Sequence, residues 1–100
     1  MKIAIDIDGT ILPEGPTFDR YLKMPFQGAI KQINELYFKG HTIYFFTARS
    51  WSEYDITLSW LKDYGFQFHY LVCGKPVYDI LVDDRSVSSL EQLEQKLKPT

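Results

Sequence analysis

The sequence is poor in cysteine, in long apolar runs and in excess charge of either sign. Its single cysteine, Cys73, excludes an internal disulfide and is typical of a reducing compartment. Because Cys73 lies in an apolar run, we expect it to pack in a core rather than act as a nucleophile. No apolar stretch is long enough to span a bilayer, and Asp6 and Asp8 interrupt the first one, so we expect no signal peptide. The formal net charge of −2 gives no general nucleic-acid footprint. We therefore expect a cytoplasmic protein that binds neither membranes nor nucleic acid.

Length and composition are those of one small globular domain. One hundred residues suffice for a single modest core. Aromatic residues are plentiful, at 16% of the chain, which indicates a sticky surface or a subunit interface. A homo-oligomer is the corresponding expectation.

Strand patterns alternate with helical patterns along the whole chain. This alternation predicts right-handed βαβ units and a parallel sheet with helices on both faces. An irregular excursion at about residues 11–24, rich in proline and glycine, predicts a small flap that is too short to be a domain. A capping-box sequence at residues 50–53 predicts the start of the second helix, and one at residues 88–91 the start of the third. The predicted strands cover residues 3–7, 41–47, 68–73 and 79–83, and the predicted helices end near Gly40, Gly65 and Leu97.

The first strand ends in two aspartates. Residues two apart on a strand point to the same side, so Asp6 and Asp8 can face one site, and Gly9 allows a sharp turn after them. Burying charged carboxylates at the end of a strand costs free energy unless an opposite charge lies nearby. A bound cation would supply that charge. The plain alternative is an Asp-Gly turn preceded by a solvated acid. A calcium-binding EF-hand loop is excluded, because Ile11 falls where that loop needs glycine.

Polar side chains also follow the other three strands. Thr47 and Arg49 follow the second, Lys75 the third, and Asp83 and Asp84 the fourth. Each has an ordinary explanation alone, as a β-former, a turn residue, a surface charge or a strand terminator. Because open α/β sheets place their ligands beyond the carboxyl ends of the strands, we expect these residues to share one site.

This set of residue types suits phosphoryl transfer through an aspartyl-phosphate. A carboxylate can attack phosphorus and form a covalent intermediate. Carboxylate and phosphate repel, so a hard cation is needed between them, and Mg²⁺ prefers a few carboxylates together with phosphate oxygens. Asp6, with Asp83 or Asp84, would hold that cation.

The remaining polar groups have matching tasks. The hydroxyl of Thr47 and the ammonium of Lys75 would meet the other phosphate oxygens. Asp8 could protonate the leaving oxygen and later deprotonate the attacking water.

Together these residues resemble the four motifs of the haloacid-dehalogenase-like (HAD) superfamily. Residues 6–10 match the first motif, residues 46–48 the second, Lys75 the third, and Asp83 with Asp84 the fourth. The resemblance covers nearly the whole chain. It implies a three-layer Rossmann-like parallel sheet with strand one central, in a single domain of residues 1–100.

The resemblance also implies a role for each motif residue. Asp6 would be the nucleophile, and Asp8 the general acid and base, with its main-chain carbonyl on Mg²⁺. An aspartate at position 8 resembles the phosphatase branch rather than the dehalogenase branch. Substrate binding would fall to Thr47, Ala48, Arg49 and Lys75, and the metal to Asp6, Asp8, Asp83 directly, and Asp84 directly or through water.

Family members usually carry a cap domain after strand one or strand three. Here the first gap holds only the short flap and Lys75 follows strand three at once, so the chain resembles the capless class. An open site implies a large substrate or a neighbouring subunit that screens a small phosphorylated one. Residues 74–85 also resemble small phosphatase-like proteins found beside capsule or sugar-biosynthesis genes, which favours a sugar phosphate. A basic rim could come from Arg20, Lys23, Arg49, Lys75 and Arg85.

The sequence thus predicts a Mg²⁺-dependent HAD-type phosphatase, a hydrolase of phosphoric monoesters. One alternative is a catalytically silent subunit that keeps the fold for binding. A second is a receiver-like phospho-signalling module, although a receiver carries its phosphorylated aspartate at the end of a middle strand, where this chain has Thr47.

Overall fold

A computed structural model describes residues 1–15 and 17–98; for residues 17–19 it describes the backbone alone. Pro16, which belongs to the predicted flap, lies outside the described residues. The described elements run in the order β1 (Lys2–Ile5), a 3₁₀ helix (Thr17–Leu22), α1 (Ala29–Phe38), β2 (Thr42–Phe46), a 3₁₀ turn (Trp51–Glu53), α2 (Tyr54–Asp63), β3 (Tyr70–Val72) and α3 (Leu90–Leu97). The first 3₁₀ helix occupies the predicted flap and is called the flap helix below.

The sheet is parallel, in the order β1-β2-β3. Ile5 pairs with Phe45 on β2, and Phe45 pairs with Leu71 on β3, so the middle of the sheet is apolar. Phe45 is fully buried and packs edge-on against Phe66, 5.6 Å away between ring centroids. Parallel strands separated by helices confirm the predicted α/β class.

The helices form where local sequence signals predict them. The capping box at the start of the second helix is complete: Ser50 accepts a hydrogen bond from the Ser52 main chain, and Glu53 accepts one from the Ser50 main chain. The third helix begins one residue later than its predicted box, with Ser89 as N-cap and Gln92 as its partner. Leucines of α3 pack against the core at the predicted helical spacing.

The prediction of a fourth strand at residues 79–83 is wrong. This segment is irregular and exposed, with Ile80 82% and Val82 95% accessible. Only three apolar residues stand between Asp79 and Asp83, which leaves little to bury.

Without that strand, β1 lies at one edge of the described sheet rather than at its centre. Its burial accordingly alternates: Ile3 and Ile5 are buried, while Lys2 and Ala4 are exposed. Of the helices in the described part of the chain, none is long and apolar enough to cross a membrane.

Candidate active site

Asp6 and Lys75 meet at the carboxyl end of the sheet. Asp6 follows β1 directly, and its Oδ1 accepts a hydrogen bond of 2.8 Å from the main-chain N–H of Ile7. Its Oδ2 lies 4.0 Å from Nζ of Lys75. The main-chain N–H of Lys75 donates to the carbonyl of Thr47 at 2.9 Å, which fixes the turn after β3 against the end of β2. The expectation that residues after different strands converge is thus met by this pair.

Burial raises the pKa of the Asp6 carboxyl above its ordinary value. The hydrogen bond from Ile7 and the ammonium of Lys75 oppose this shift, and the negative charges of Asp8 and Glu14 add to it. The charged carboxylate of Asp6 is therefore only partly compensated by its surroundings. Glu14, in the predicted flap segment, has an electrostatic influence on Asp6 that the sequence analysis missed.

Asp8 is held by a buried arginine. Arg49 donates from Nε to Oδ2 at 2.9 Å and from Nη2 to Oδ1 at 2.7 Å, and its Nη1 donates to Thr57 at 3.2 Å. Only 1% of the Arg49 side chain is exposed. The turn that presents Asp8 depends on Gly9, whose φ of 83° lies in the left-handed region. Arg49, which was predicted to bind substrate, is buried and holds both carboxylate oxygens of Asp8.

A second guanidinium reaches Asp8 from the flap helix. Nη1 of Arg20 lies 3.7 Å from Oδ2 of Asp8, and Nη2 of Arg20 donates to Oε1 of Glu53. The hydroxyl of Tyr21 donates to the same Glu53 oxygen at 2.6 Å. The ring of Tyr21 lies 5.1 Å from the Arg49 guanidinium and 5.7 Å from that of Arg20. The two arginines, Tyr21 and Glu53 thus form one network around Asp8.

Glu53 is ionised through the neutral range. Burial alone would raise its pKa, but the hydrogen bonds from Tyr21 and Arg20 outweigh burial and lower the pKa below the usual value. The sequence identified Glu53 only as part of a capping box. Its link to Asp8 joins residues far apart in the chain, which no local pattern shows.

Thr47 and Ala48 form the turn after β2. Thr47 is buried, and its Oγ1 accepts a hydrogen bond of 3.1 Å from the main-chain N–H of Arg49. Ala48 is exposed beside it. The hydroxyl predicted to bind phosphate therefore also stabilises the turn that carries Arg49.

The acidic residues of the last motif are more loosely placed. Asp83 is exposed, and its Oδ1 accepts from the main-chain N–H of Arg85 at 2.8 Å. Asp84 is also exposed and pairs with Arg85 at 4.0 Å. Asp83 and Arg85 nevertheless line the same cavity of about 770 Å³ as Asp6 and Lys75. Within residues 1–15 and 17–98, no three histidine, cysteine, aspartate or glutamate side chains come together in a metal-binding group.

The turn before Lys75 is closed by an indole. Gly74 has a φ of 78°, and a Cβ on it would lie 2.9 Å from Nε1 of Trp51. Cys73, one residue earlier, is buried as predicted, and burial raises the pKa of its thiol. Cys73 is therefore a core residue with little thiolate character.

Comparison with known proteins yields a likeness in fold. No family model and no curated protein matches the chain. Among solved structures, the chain is similar to a crystal structure described only as an MCSG target from Vibrio cholerae, with 25% sequence identity and a TM-score of 0.74. The match covers 97% of this chain and 98% of the other. The two proteins therefore share a small α/β fold over nearly their full lengths.

Proposed function

We propose that the protein is a Mg²⁺-dependent phosphomonoesterase of the HAD type, with a capless three-layer Rossmann-like core. The observation that carries the proposal is the position of Asp6 beside Lys75, with Asp8 held two residues further on at the same end of the sheet. This geometry offers a nucleophile, a positive charge for the phosphoryl group and a proton carrier within one site.

Hydrolysis would take place in two steps. An Asp6 oxygen attacks phosphorus, the bond from phosphorus to the ester oxygen breaks, and Asp8 gives its proton to the leaving oxygen. Water then attacks the aspartyl-phosphate, Asp8 takes the proton from that water, and inorganic phosphate leaves as the Asp6 carboxylate is restored. Lys75 stabilises charge on the phosphoryl oxygens throughout both steps.

Oxygen ligands from Asp6 and Asp83 fit Mg²⁺ in their chemistry, and both residues line one cavity. By the family resemblance, the Asp8 main-chain carbonyl and Asp84 complete the set. When bound, the ion supplies positive charge that offsets the repulsion between carboxylate and phosphate. Asp6 is partly buried, and the hydrogen bond from Ile7 and the charge of Lys75 compensate its carboxylate only in part, which supports a cation at this position.

The volume and lining of the same cavity indicate what size of substrate could bind there. Its volume of about 770 Å³ lies in the range of small-molecule sites. It opens beside β1, and apolar side chains of α3 form part of its wall. A small phosphorylated compound such as a sugar phosphate fits this room, and a second copy of the chain would screen the open side.

Replacing Asp6 with asparagine tests the proposal. Asp6→Asn keeps the shape of the side chain and its hydrogen bond from Ile7 but removes the nucleophile. We expect hydrolysis of a generic aryl phosphate in Mg²⁺ to fall to background, while Asp63→Asn, an exposed substitution at the end of α2, turns over like the wild type. Equal turnover by the wild type and Asp6→Asn would contradict the proposal.

One observation favours a second candidate, a catalytically silent binding subunit. Asp83 and Asp84 are exposed and do not join Asp6 and Asp8 in a metal-binding group within the described residues. A titration with Mg²⁺ decides between the two. Binding at millimolar concentration that is lost in Asp83→Asn supports the enzyme, and no binding supports the silent subunit. Stable labelling by a small phosphodonor would instead indicate the receiver-like module.

A further inference from the structure

We propose that Glu53 is a positioning residue for Asp8: it holds Arg20 against the carboxylate that transfers the proton. The inference rests on the proposed function and adds to it a residue that lies outside the four motifs. It also assigns a task to the flap helix, which supplies Arg20 and Tyr21.

The contacts form a continuous chain from Glu53, in the 3₁₀ turn before α2, to Asp8. Oε1 of Glu53 accepts from both Arg20 and the Tyr21 hydroxyl. Arg20 then presents Nη1 to Oδ2 of Asp8, 3.7 Å away. The other oxygen of Glu53 accepts from the Ser50 main chain at 3.2 Å, in the capping box that starts the helix. Glu53 therefore joins Arg20 and Tyr21 of the flap helix to the capping box at the start of α2.

The placement of Arg20 is unfavourable for stability alone. Only 14% of its side chain is exposed, and within the described part of the chain its Nε is buried without a hydrogen-bond partner. A buried donor left unpaired destabilises a fold, and such groups in native structures call for an explanation in function or strain. Holding Asp8 in one orientation supplies a functional explanation.

Arg49 and Arg20 act on Asp8 from two elements. Arg49 donates one hydrogen bond to each carboxylate oxygen of Asp8, so each oxygen keeps a second lone pair. Arg20 adds charge at Oδ2 alone, so the two oxygens of Asp8 are unequal. An unequal, fixed carboxylate can present one oxygen to the leaving group and the attacking water, which is the geometric requirement for proton transfer.

The test separates proton transfer from general damage by varying the leaving group. An alkyl phosphate needs protonation of its leaving oxygen, whereas 2,4-dinitrophenyl phosphate has a leaving group stable enough to depart without it. In Glu53→Gln the capping box is retained, since glutamine is accepted at that position, but the charge that holds Arg20 is lost. We expect kcat/KM on the alkyl phosphate, which reports the steps up to formation of the aspartyl-phosphate, to fall roughly 10- to 100-fold, a part of the roughly 10²- to 10⁴-fold that acid–base catalysis supplies.

The same variant should lose less than about three-fold in kcat/KM on 2,4-dinitrophenyl phosphate, because kcat/KM does not include the later hydrolysis step that both esters share. Tyr21→Phe removes one hydrogen bond to Glu53 and keeps the ring, so a smaller loss with the same leaving-group dependence is expected. If Glu53→Gln fails to fold, Tyr21→Phe replaces it as the test variant. Glu94→Gln, on the exposed side of α3, is the matched control and should match the wild type on both esters.

The possible failures are distinguishable. A wild type that hydrolyses neither ester overturns the proposed function together with this inference. A wild type that hydrolyses both, with Glu53→Gln equally active or equally impaired on the two esters, overturns the positioning role alone. A double-mutant cycle of Glu53→Gln and Asp8→Asn adds an independent readout: we expect a coupling of about three-fold or more in the unfolding equilibrium constant. Additive effects would contradict the link through Arg20.

Discussion

Arg49 binds both carboxylate oxygens of Asp8, through bonds of 2.9 and 2.7 Å, from a position in which its own side chain is almost fully buried. The pair joins the turn after β1 to the turn after β2. It pairs a nearly buried guanidinium with a partly exposed carboxylate, so the charge of Arg49 is not left unpaired in the interior.

Replacing Arg49 with lysine should therefore destabilise the fold, because lysine cannot reproduce a two-pronged contact. We expect the free energy of unfolding to fall by about 1.5–3 kcal/mol, the contribution of a hydrogen bond to a charged group. Urea unfolding measures the loss. Arg85→Lys, at an exposed pair with Asp84, is the control and should unfold like the wild type. A wild-type midpoint for Arg49→Lys would show that the pair with Asp8 contributes little.

Asp6→Asn should stabilise the protein at neutral pH while it removes the proposed nucleophile. Because burial raises the folded-state pKa of Asp6, ionising this group costs stability as the pH rises from its unfolded value of about 3.9 through the folded one. Asparagine avoids that cost. The gain in melting temperature should be present at pH 7 in the presence of a chelator, and absent at pH 3. A variant less stable than the wild type at pH 7 would indicate that the charge of Asp6 is well compensated.

Gly74→Ala should destabilise the turn that carries Lys75. Alanine would be strained at the positive φ, and its Cβ would meet the indole of Trp51. We expect a loss of about 2–4 kcal/mol, the sum of a strain and a clash contribution. Gly40→Ala is the matched control, with a φ of 98° and nothing within 4 Å of the added carbon, so only strain applies. Equal losses at the two positions would exclude a contribution from Trp51.

Substitutions in the segment after Lys75 test whether residues 79–83 form a packed strand. Val82 is almost fully exposed, so Val82→Ser should leave the free energy of unfolding within about 0.5 kcal/mol of the wild type. Leu71→Ala, in β3, should cost about 2–4 kcal/mol because Leu71 is buried. A loss at Val82 comparable with that at Leu71 would mean that residues 79–83 pack as the strand that the sequence predicts.

The features that the sequence predicted well depend on interactions between residues close together in the chain. The capping box at Ser50 and Glu53 and the glycine after each of the first two helices act within a few residues, so pattern alone places those helix ends. The meeting of Asp6 with Lys75 was also predictable, because parallel strands deliver their carboxyl ends to one edge.

What the sequence could not predict depends on contacts between distant residues. Nothing near Arg49 shows that it would turn inward to Asp8, 41 residues earlier, rather than outward to solvent. Likewise, Arg20 and Glu53 are 33 residues apart and are joined only by the fold. The run at 79–83 has strand-forming residues, but strand propensity is a preference for a packed, half-buried surface, and β1 alone does not provide one.

The attachment of the flap helix bears on how the proposed site would be reached. Tyr21 and Arg20 fasten it to Glu53, and the indole of Trp60 donates to the Lys23 carbonyl at 3.2 Å. An outward swing of the flap would break all three contacts. The cavity beside Asp6 runs along β1 and α3, and Tyr78, Leu81 and Leu93 are among the residues that line it. For the proposed phosphatase, exchanging those three side chains is the direct way to change the preferred ester.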